Sequence, residues 1–261
     1  MHLQVLASGS GGNATLVRAA DAALLVDAGL SGPAMQARLD AARLGLGGLD
    51  HVLVTHGHLD HARSAGVLAR RNRALLHCSQ AIMNNASIRR HKRLATLTIG
   101  STAELPNARE TDAVRVSPVE IPHDAPPTVA FKLEHAGRRA VILTDMGVPR
   151  PEVAARLRGA HVLVLEFNHD ERMLAVGPYP ATLKRRIAGN AGHLSNSQAA
   201  RMLRDLADEH LHTLVLAHLS AHNNTPELAL EAARGTLDEL GLGHVRVLVA
   251  SQDEVGENLE V

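Results

Sequence analysis

Apolar and polar positions along the chain fall into short β-type runs and helical stripes, and their order predicts the architecture. The first part reads as β-rich, with runs at residues 3–7, 15–18 and 23–27, and Ser31 stands where it can cap a helix reaching roughly to Arg43. An apolar strand at 51–54 then leads into a polar loop, a helix near 63–71, a short strand at 75–77 and a second helix opening near Ser79. Several strands are expected between Ala113 and Thr144. Beyond them helix and strand alternate: a helix from Pro151, a strand at 162–166, helices over 179–188 and 195–210, a strand at 214–217, a helix over 227–240 and a strand at 245–249. Strands flanked by helices at both ends predict an α/β (α+β) fold of two sheets with helices outside. No repeat, low-complexity segment or linker divides the chain, so one domain over 1–261 is expected.

Composition narrows the chemistry. Hydrophobic residues make up 45% and mean hydropathy is −0.03, values of an ordinary globular protein, and no apolar stretch is long enough to span a bilayer. The opening residues show neither a basic leader region nor a cleavage pattern, so a cytoplasmic location without membrane attachment is expected. Cys78 is the single cysteine, which excludes a disulfide framework and a thiolate zinc site. Seventeen histidines carry the compositional signal, and any metal must be held by His, Asp or Glu. Formal net charge is zero, yet basic residues cluster at Arg70-Arg71-Asn72-Arg73, Arg89-Arg90-His91-Lys92-Arg93, Arg138-Arg139 and Lys184-Arg185-Arg186. Such runs are usually solvated helix ends; the functional alternative is a phosphate-binding rim.

The segment Thr55-His56-Gly57-His58-Leu59-Asp60-His61 follows an apolar strand and packs three imidazoles and a carboxylate into one loop. Zinc, manganese and iron accept these ligands, and the H-x-H-x-D-H spacing lets one loop aim two ligands at one ion and two at another. Further ligand types end later β-runs: His123 after Pro122, Asp145 after an apolar strand, and His218 in Leu216-Ala217-His218-Leu219. Singly, each has an even claim to a structural role, a histidine in a turn or an aspartate opening a loop. As a set they complete two shells: His56, His58 and His123 for one ion, Asp60, His61 and His218 for the other, Asp145 bridging, and an open position for water.

The early Ser8-Gly9-Ser10-Gly11-Gly12-Asn13-Ala14 superficially matches a dinucleotide fingerprint, with Asp27 as the later acid. That fingerprint requires a helix directly after the glycines, whereas residues 14–18 read as the second arm of a hairpin. Nucleotide-dependent oxidoreduction is therefore a weak rival, and a tight glycine turn near the pocket is favoured.

H-x-H-x-D-H, Pro122-His123-Asp124, Thr144-Asp145-Met146-Gly147, Glu166-Phe167-Asn168-His169-Asp170, Gly192-His193-Leu194-Ser195-Asn196 and Ala217-His218-Leu219-Ser220 run over nearly the whole chain. With the glycine-rich opening and Tyr179-Pro180-x-x-Leu183-Lys184-x-Arg186-Ile187, the series resembles the YycJ/WalJ-type branch of the metallo-β-lactamase superfamily, related to ribonuclease Z and to nucleases of that fold. Phe167 departs from the pattern, where a small residue is expected.

The resemblance implies a four-layer αββα sandwich and a dinuclear centre of two divalent transition metals, zinc, manganese or iron. It also implies phosphodiester hydrolysis by a metal-bridged hydroxide, with 5′-to-3′ exonuclease action on single-stranded DNA. Asp60 joins the catalytic set, and Glu166 with His193 corresponds to the acidic residue and histidine that stand beside the metals in ribonuclease Z-like enzymes. Glu166 either orients His193 as general acid or phosphate ligand, or supports a metal-bound histidine. His169, Asp170 and His222 are candidates to face substrate, as are Arg89, Arg90, Lys92, Arg93, Lys184 and Arg186. Two Phe, one Tyr and no Trp leave few stacking platforms, so the grip on nucleic acid must be mostly backbone electrostatics. The rival is a hydrolase of the same fold acting on a lactone, thioester or cyclic phosphodiester. A binding or sensor module without turnover would predict broken ligands, and none is broken.

Overall fold

In a computed structural model, which describes residues 1–19, 21–45, 47–106 and 113–261, the opening apolar runs pair as an antiparallel meander. Its strands are β1 (His2–Ala7), β2 (Ala14–Ala19) and β3 (Ala22–Val26). Residues 14–19 are strand and no helix follows the glycines, so the dinucleotide reading is excluded by the local structure. The chain then winds in parallel: β4 (His51–Leu53) beside β3, β5 (Leu75–Cys78) beside β4, and β6 (Leu94–Thr96) beside β5. The final strand, β14 (Leu259–Glu260), returns antiparallel to β1. The crossovers are α1 (Gly32–Ala41), and then α2 (Leu59–Ala62) with α3 (Ala65–Asn72). Ser31 accepts the Ala34 N–H and Pro33 sits in the first turn, which is why α1 starts there. These elements belong to the first of two compact units, Met1–Pro118 with Leu133–Arg138 and Ser251–Val261. Its core joins Leu6, Leu16, Leu25, Val52 and Leu76 of the sheet to Met35 and Leu39 of α1 and Leu68 of α3.

The second unit is Val119–Lys132 with Arg139–Ala250. Its parallel strands are β10 (Arg138–Leu143), β11 (Val162–Glu166), β12 (Thr213–Ala217) and β13 (Arg246–Val249). They belong to a sheet of order β13-β12-β11-β10-β9-β8-β7, with β7 at Ala103–Leu105, β8 at Val114–Ile121 and β9 at Thr128–His135. The division between the units falls within β8 and β9 and after the first residue of β10. β11 and β12 are buried along their full length, which is what a parallel strand covered on both faces requires. The helices are α4 (Pro151–Leu157), α5 (Glu171–Val176), α6 (Ala181–Ile187), α7 (Asn196–Leu206) and α8 (Pro226–Glu239). A reciprocal capping box between Ser195 and Gln198 starts α7, and Thr225 with Pro226 starts α8. Leu163, Leu165, Leu214 and Leu216 pack with Met202, Leu203 and Leu237 of these helices.

Three expectations need correction. The helix expected near Ser79 is a single 3₁₀ turn, Gln80–Ile82, because the Asn85 side chain caps Ser87 N–H and donates to Gly57 O instead of allowing the chain to wind on. The helix after the metal loop is two, broken at Arg63 and Ser64. The helix expected over 195–210 ends at Leu206, where Ala207 turns extended. The short strands β6, β7 and β14 and the helix α5 carry too little periodicity to be read in advance.

Candidate metal centre

In the first unit, the histidine-rich loop follows the C-terminal end of β4, and Asp27 follows the end of the neighbouring β3. Asp27 has φ 61°, a left-handed turn that redirects the chain at the strand end. Its carboxylate accepts the Thr55 N–H at 2.8 Å, the Thr55 hydroxyl at 2.8 Å and His61 Nδ1–H at 2.7 Å. With the Thr55 proton committed to Asp27, the Thr55 oxygen accepts from His56 Nδ1 at 3.0 Å. One buried carboxylate therefore fixes two imidazoles through Nδ1, and in each it is Nε2 that could bind a metal. The His56 ring lies 4.3 Å from that of His61 and 4.8 Å from that of His58. Asp60 Oδ2 is 3.5 Å from His61 Nε2, and Asn13 Nδ2 reaches the same nitrogen at 3.0 Å. The backbone is equally constrained: Asn13 N–H donates to Asp60 O, and a Cβ at Gly29 would stand 1.7 Å from that oxygen, so only glycine fits.

In the second unit the side chains come from separate strand ends. Parallel register sets Leu143 beside Leu165 and Glu166 beside Ala217, so Asp145, Glu166 and His218 emerge at the carboxyl ends of adjacent strands, where open α/β sheets carry their ligands. Asp145 and His218 take left-handed turns of φ 61° and 56°. Asp145, Glu166, His193 and His218 each offer a donor atom within 4.8 Å of the others. Asp145 Oδ1 stands 3.7 Å from His218 Nε2 and 4.0 Å from His123 Nε2. Donors held at about 2.1 Å around one tetrahedral ion lie about 3.4 Å apart, so each of these two Asp145–histidine spacings suits a pair of ligands to a divalent ion after small closure.

Histidine orientation again depends on Nδ1. His123 Nδ1 donates to Gly192 O at 3.0 Å, while His193 and His218 donate to the same Glu166 Oε1 at 2.8 and 3.2 Å. The second Glu166 oxygen accepts the N–H groups of Met146 and Leu194. Glu166 thus makes both contacts open to it in the sequence, as the partner of His193 and of His218. Burial pushes its carboxyl upward, but the charge and hydrogen bond of His193 and the hydrogen bond of His218 outweigh this and hold it below the ordinary carboxylate range. Burial lowers His123 more than the neighbouring Asp145 charge raises it, which keeps the imidazole neutral and able to bind a metal.

The remaining sequence candidates lie outside that cluster. His169 is buried, its Nδ1 3.3 Å from Asn168 Oδ1, and burial lowers its pKa. Asp170 caps α5 by accepting Met173 N–H. His222 is exposed, its ring 5.6 Å from and edge-on to that of Tyr179. Phe167 is fully buried in the core, and its N–H pairs with Ala217 O at the end of β11. Lys184 and Arg186 lie on α6, where Lys184 donates to Ala175 O and Arg186 pairs with Asp124 at 2.6 Å. Arg89, Arg90, Lys92 and Arg93 are exposed before β6. Reading the residues missed Asp27, Thr55 and Asn13 as partners of the ligands. Asp27 carried the same signal as Asp145, a carboxylate ending an apolar strand.

The profile of the metallo-beta-lactamase superfamily matches residues 7–218, and the chain belongs to that superfamily, a metal-dependent hydrolase built on two mixed sheets packed with helices. It is 33% identical over 248 residues to exodeoxyribonuclease YycJ of Bacillus anthracis, covering 93% of this chain and 91% of the relative. It is 31% identical over 240 residues to exodeoxyribonuclease WalJ of Streptococcus pneumoniae, covering 92% and 89%. The metallo-beta-lactamase fold protein YhfI of Bacillus subtilis superposes with a TM-score of 0.73 at 17% identity, covering 97% of this chain and 98% of that one. Among the described residues no helix is long and apolar enough to cross a membrane.

Proposed function

We propose that the chain is a two-metal phosphodiesterase that degrades single-stranded DNA from the 5′ end. His56, His58 and His123 would hold one divalent ion, Asp60, His61 and His218 the other, with Asp145 shared. The observation that carries the ligand assignment is the position of Asp145 Oδ1, near the Nε2 atoms of both His123 and His218, whose Nδ1 atoms are tied to Gly192 O and Glu166. The family profile matches residues 7–218, a span that contains all seven of these proposed ligands. The DNA reading rests on relatives named exodeoxyribonuclease that align over more than nine-tenths of this chain.

When bound, the ions supply Lewis acidity toward a phosphoryl oxygen and a water of lowered pKa. The protein's own residues do the rest. Glu166 holds His193 through Nδ1, so His193 Nε2 is directed to the scissile phosphate, where it hydrogen-bonds a phosphoryl oxygen or gives its proton to the departing one. Asp27 holds His61 directly and His56 through Thr55, so the loop ligands are oriented before substrate arrives.

The test is an assay of metal-loaded protein on 5′-phosphorylated single-stranded DNA, RNA, bis(p-nitrophenyl) phosphate and lactones. Release of nucleotides from the 5′ end of DNA with zinc, manganese or iron is expected. Turnover of a lactone with no cleavage of DNA under any of these metals would transfer the assignment to small-substrate hydrolysis.

A further inference from the structure

The chain has equal numbers of acidic and basic residues, yet between Asp60 and Glu104 it contains no acidic residue at all. Surfaces normally intersperse the two signs, so a segregated block of one sign calls for a partner. Arg70, Arg71 and Arg73 end α3, Arg89, Arg90 and Lys92 lie in the segment before β6, and all six are exposed. None makes an ion pair with a carboxylate among the described residues. Favourable interaction with a helix C-terminus accounts for Arg70 and Arg71, but not for Arg89, Arg90 and Lys92, which end no helix.

Both parts are fastened to each other and to the ligand loop. Asn85 Nδ2 donates to Gly57 O at 2.8 Å, between His56 and His58. Gly66 of α3 donates its N–H to Ser87 O, and a Cβ there would stand 2.3 Å from that oxygen, so the segment lies directly on the helix. The Arg93 guanidinium donates to Arg73 O, and Leu76 N–H to Arg93 O. The cations are thus carried on a segment with fixed attachment to the metal loop.

We propose that this surface is a track for the phosphodiester backbone of a single-stranded nucleic acid, leading it to the His56–His61 loop; the inference rests on the nuclease reading and adds α3 to the substrate-binding residues. Backbone contacts without stacking platforms release counterions, so binding should be steeply salt-dependent and indifferent to sequence.

The experiment measures fluorescence anisotropy of labelled oligothymidylate and oligouridylate on metal-loaded His193→Ala protein across a salt series. The same series is run with Arg71→Gln, Arg89→Gln and Arg90→Gln combined, and with Arg115→Gln, Arg156→Gln and Arg201→Gln combined as a charge-matched control. The track variant should bind at least about tenfold more weakly at low salt, with a log–log slope shallower by about 0.7 for each phosphate no longer neutralised. The control should keep the slope of the parent. Loss of slope on oligothymidylate is the expected result, and loss on oligouridylate alone would overturn DNA as the occupant. Equal slopes in track and control variants, in a protein whose wild type cleaves DNA, would overturn the track alone. A wild type that cleaves neither strand removes the nuclease reading and the track together.

Discussion

In the first unit the ligand-type side chains come from one loop, His56 to His61, whereas in the second they come from four places, Pro122-His123, Asp145, His193 and His218. The difference is between local and register-determined geometry. The loop needs only the end of β4 and the start of α2, and one carboxylate, Asp27, orients its histidines. The second set depends on β10, β11 and β12 keeping step, since a one-residue slip would turn Glu166 away from His193 and His218. Each set has a carboxylate at its base, Asp27 in one and Glu166 in the other, and each carboxylate positions two imidazoles. Substitutions at these two residues and their partners can therefore separate metal retention from turnover.

The largest separation should come from His193→Ala. Since His193 hydrogen-bonds to Glu166 and is assigned to the phosphate, turnover on DNA should fall by roughly 10²–10⁴-fold with metal content kept, as read by steady-state kinetics beside elemental analysis. Loss of metal in that variant would make His193 a ligand and require the roles of His193 and His218 to be exchanged. A smaller effect is expected at the base of the loop. Asp27→Asn keeps the size of the side chain but weakens its grip on His61 Nδ1 and Thr55, and metal affinity measured by competition with a chromophoric chelator should drop about 10- to 100-fold. Unchanged affinity would mean that the loop ligands are positioned by backbone alone.

A third effect concerns stability rather than metal or turnover. His51 opens β4, the strand that delivers the ligand loop, and its Nδ1 lies 3.0 Å from Nε2 of His77 on β5. Burial, then the charge of His51, pushes His77 down from 6.5 to about 3. The folded state therefore favours the neutral ring, while the unfolded chain takes up its proton near the ordinary value. The stability this provides is complete above about pH 6.5 and is lost as pH falls toward 3, by up to about 1.4 kcal/mol per pH unit. Urea unfolding across that window should show the slope in wild type and a weaker one in His77→Gln; identical slopes would place the acid sensitivity elsewhere.

The candidate ligands could be picked out in the sequence because each stands where polarity interrupts an apolar run: His58, Asp60 and His61 after β4, Asp145 after β10, His218 after β12. Strand positions were equally readable, and residues 162–166 form the β11 read from the pattern. What could not be read is how side chains are held. The sharing of Glu166 between two histidines depends on register and on the turn that brings His193 back to β11. The left-handed turns at Asp27, Asp145 and His218 leave no mark in composition, since none is glycine. Short edge strands such as β6 and β14 gain order from their neighbours rather than from their own periodicity.

The proposed function rests most heavily on Asp145 being a carboxylate shared by two ions. Native mass spectrometry of wild type and Asp145→Ala, purified without chelator, tests it most directly. Two divalent metals per chain in wild type and at most one weakly held metal in the variant are the result expected of a shared carboxylate. Two firmly bound metals in Asp145→Ala would contradict it.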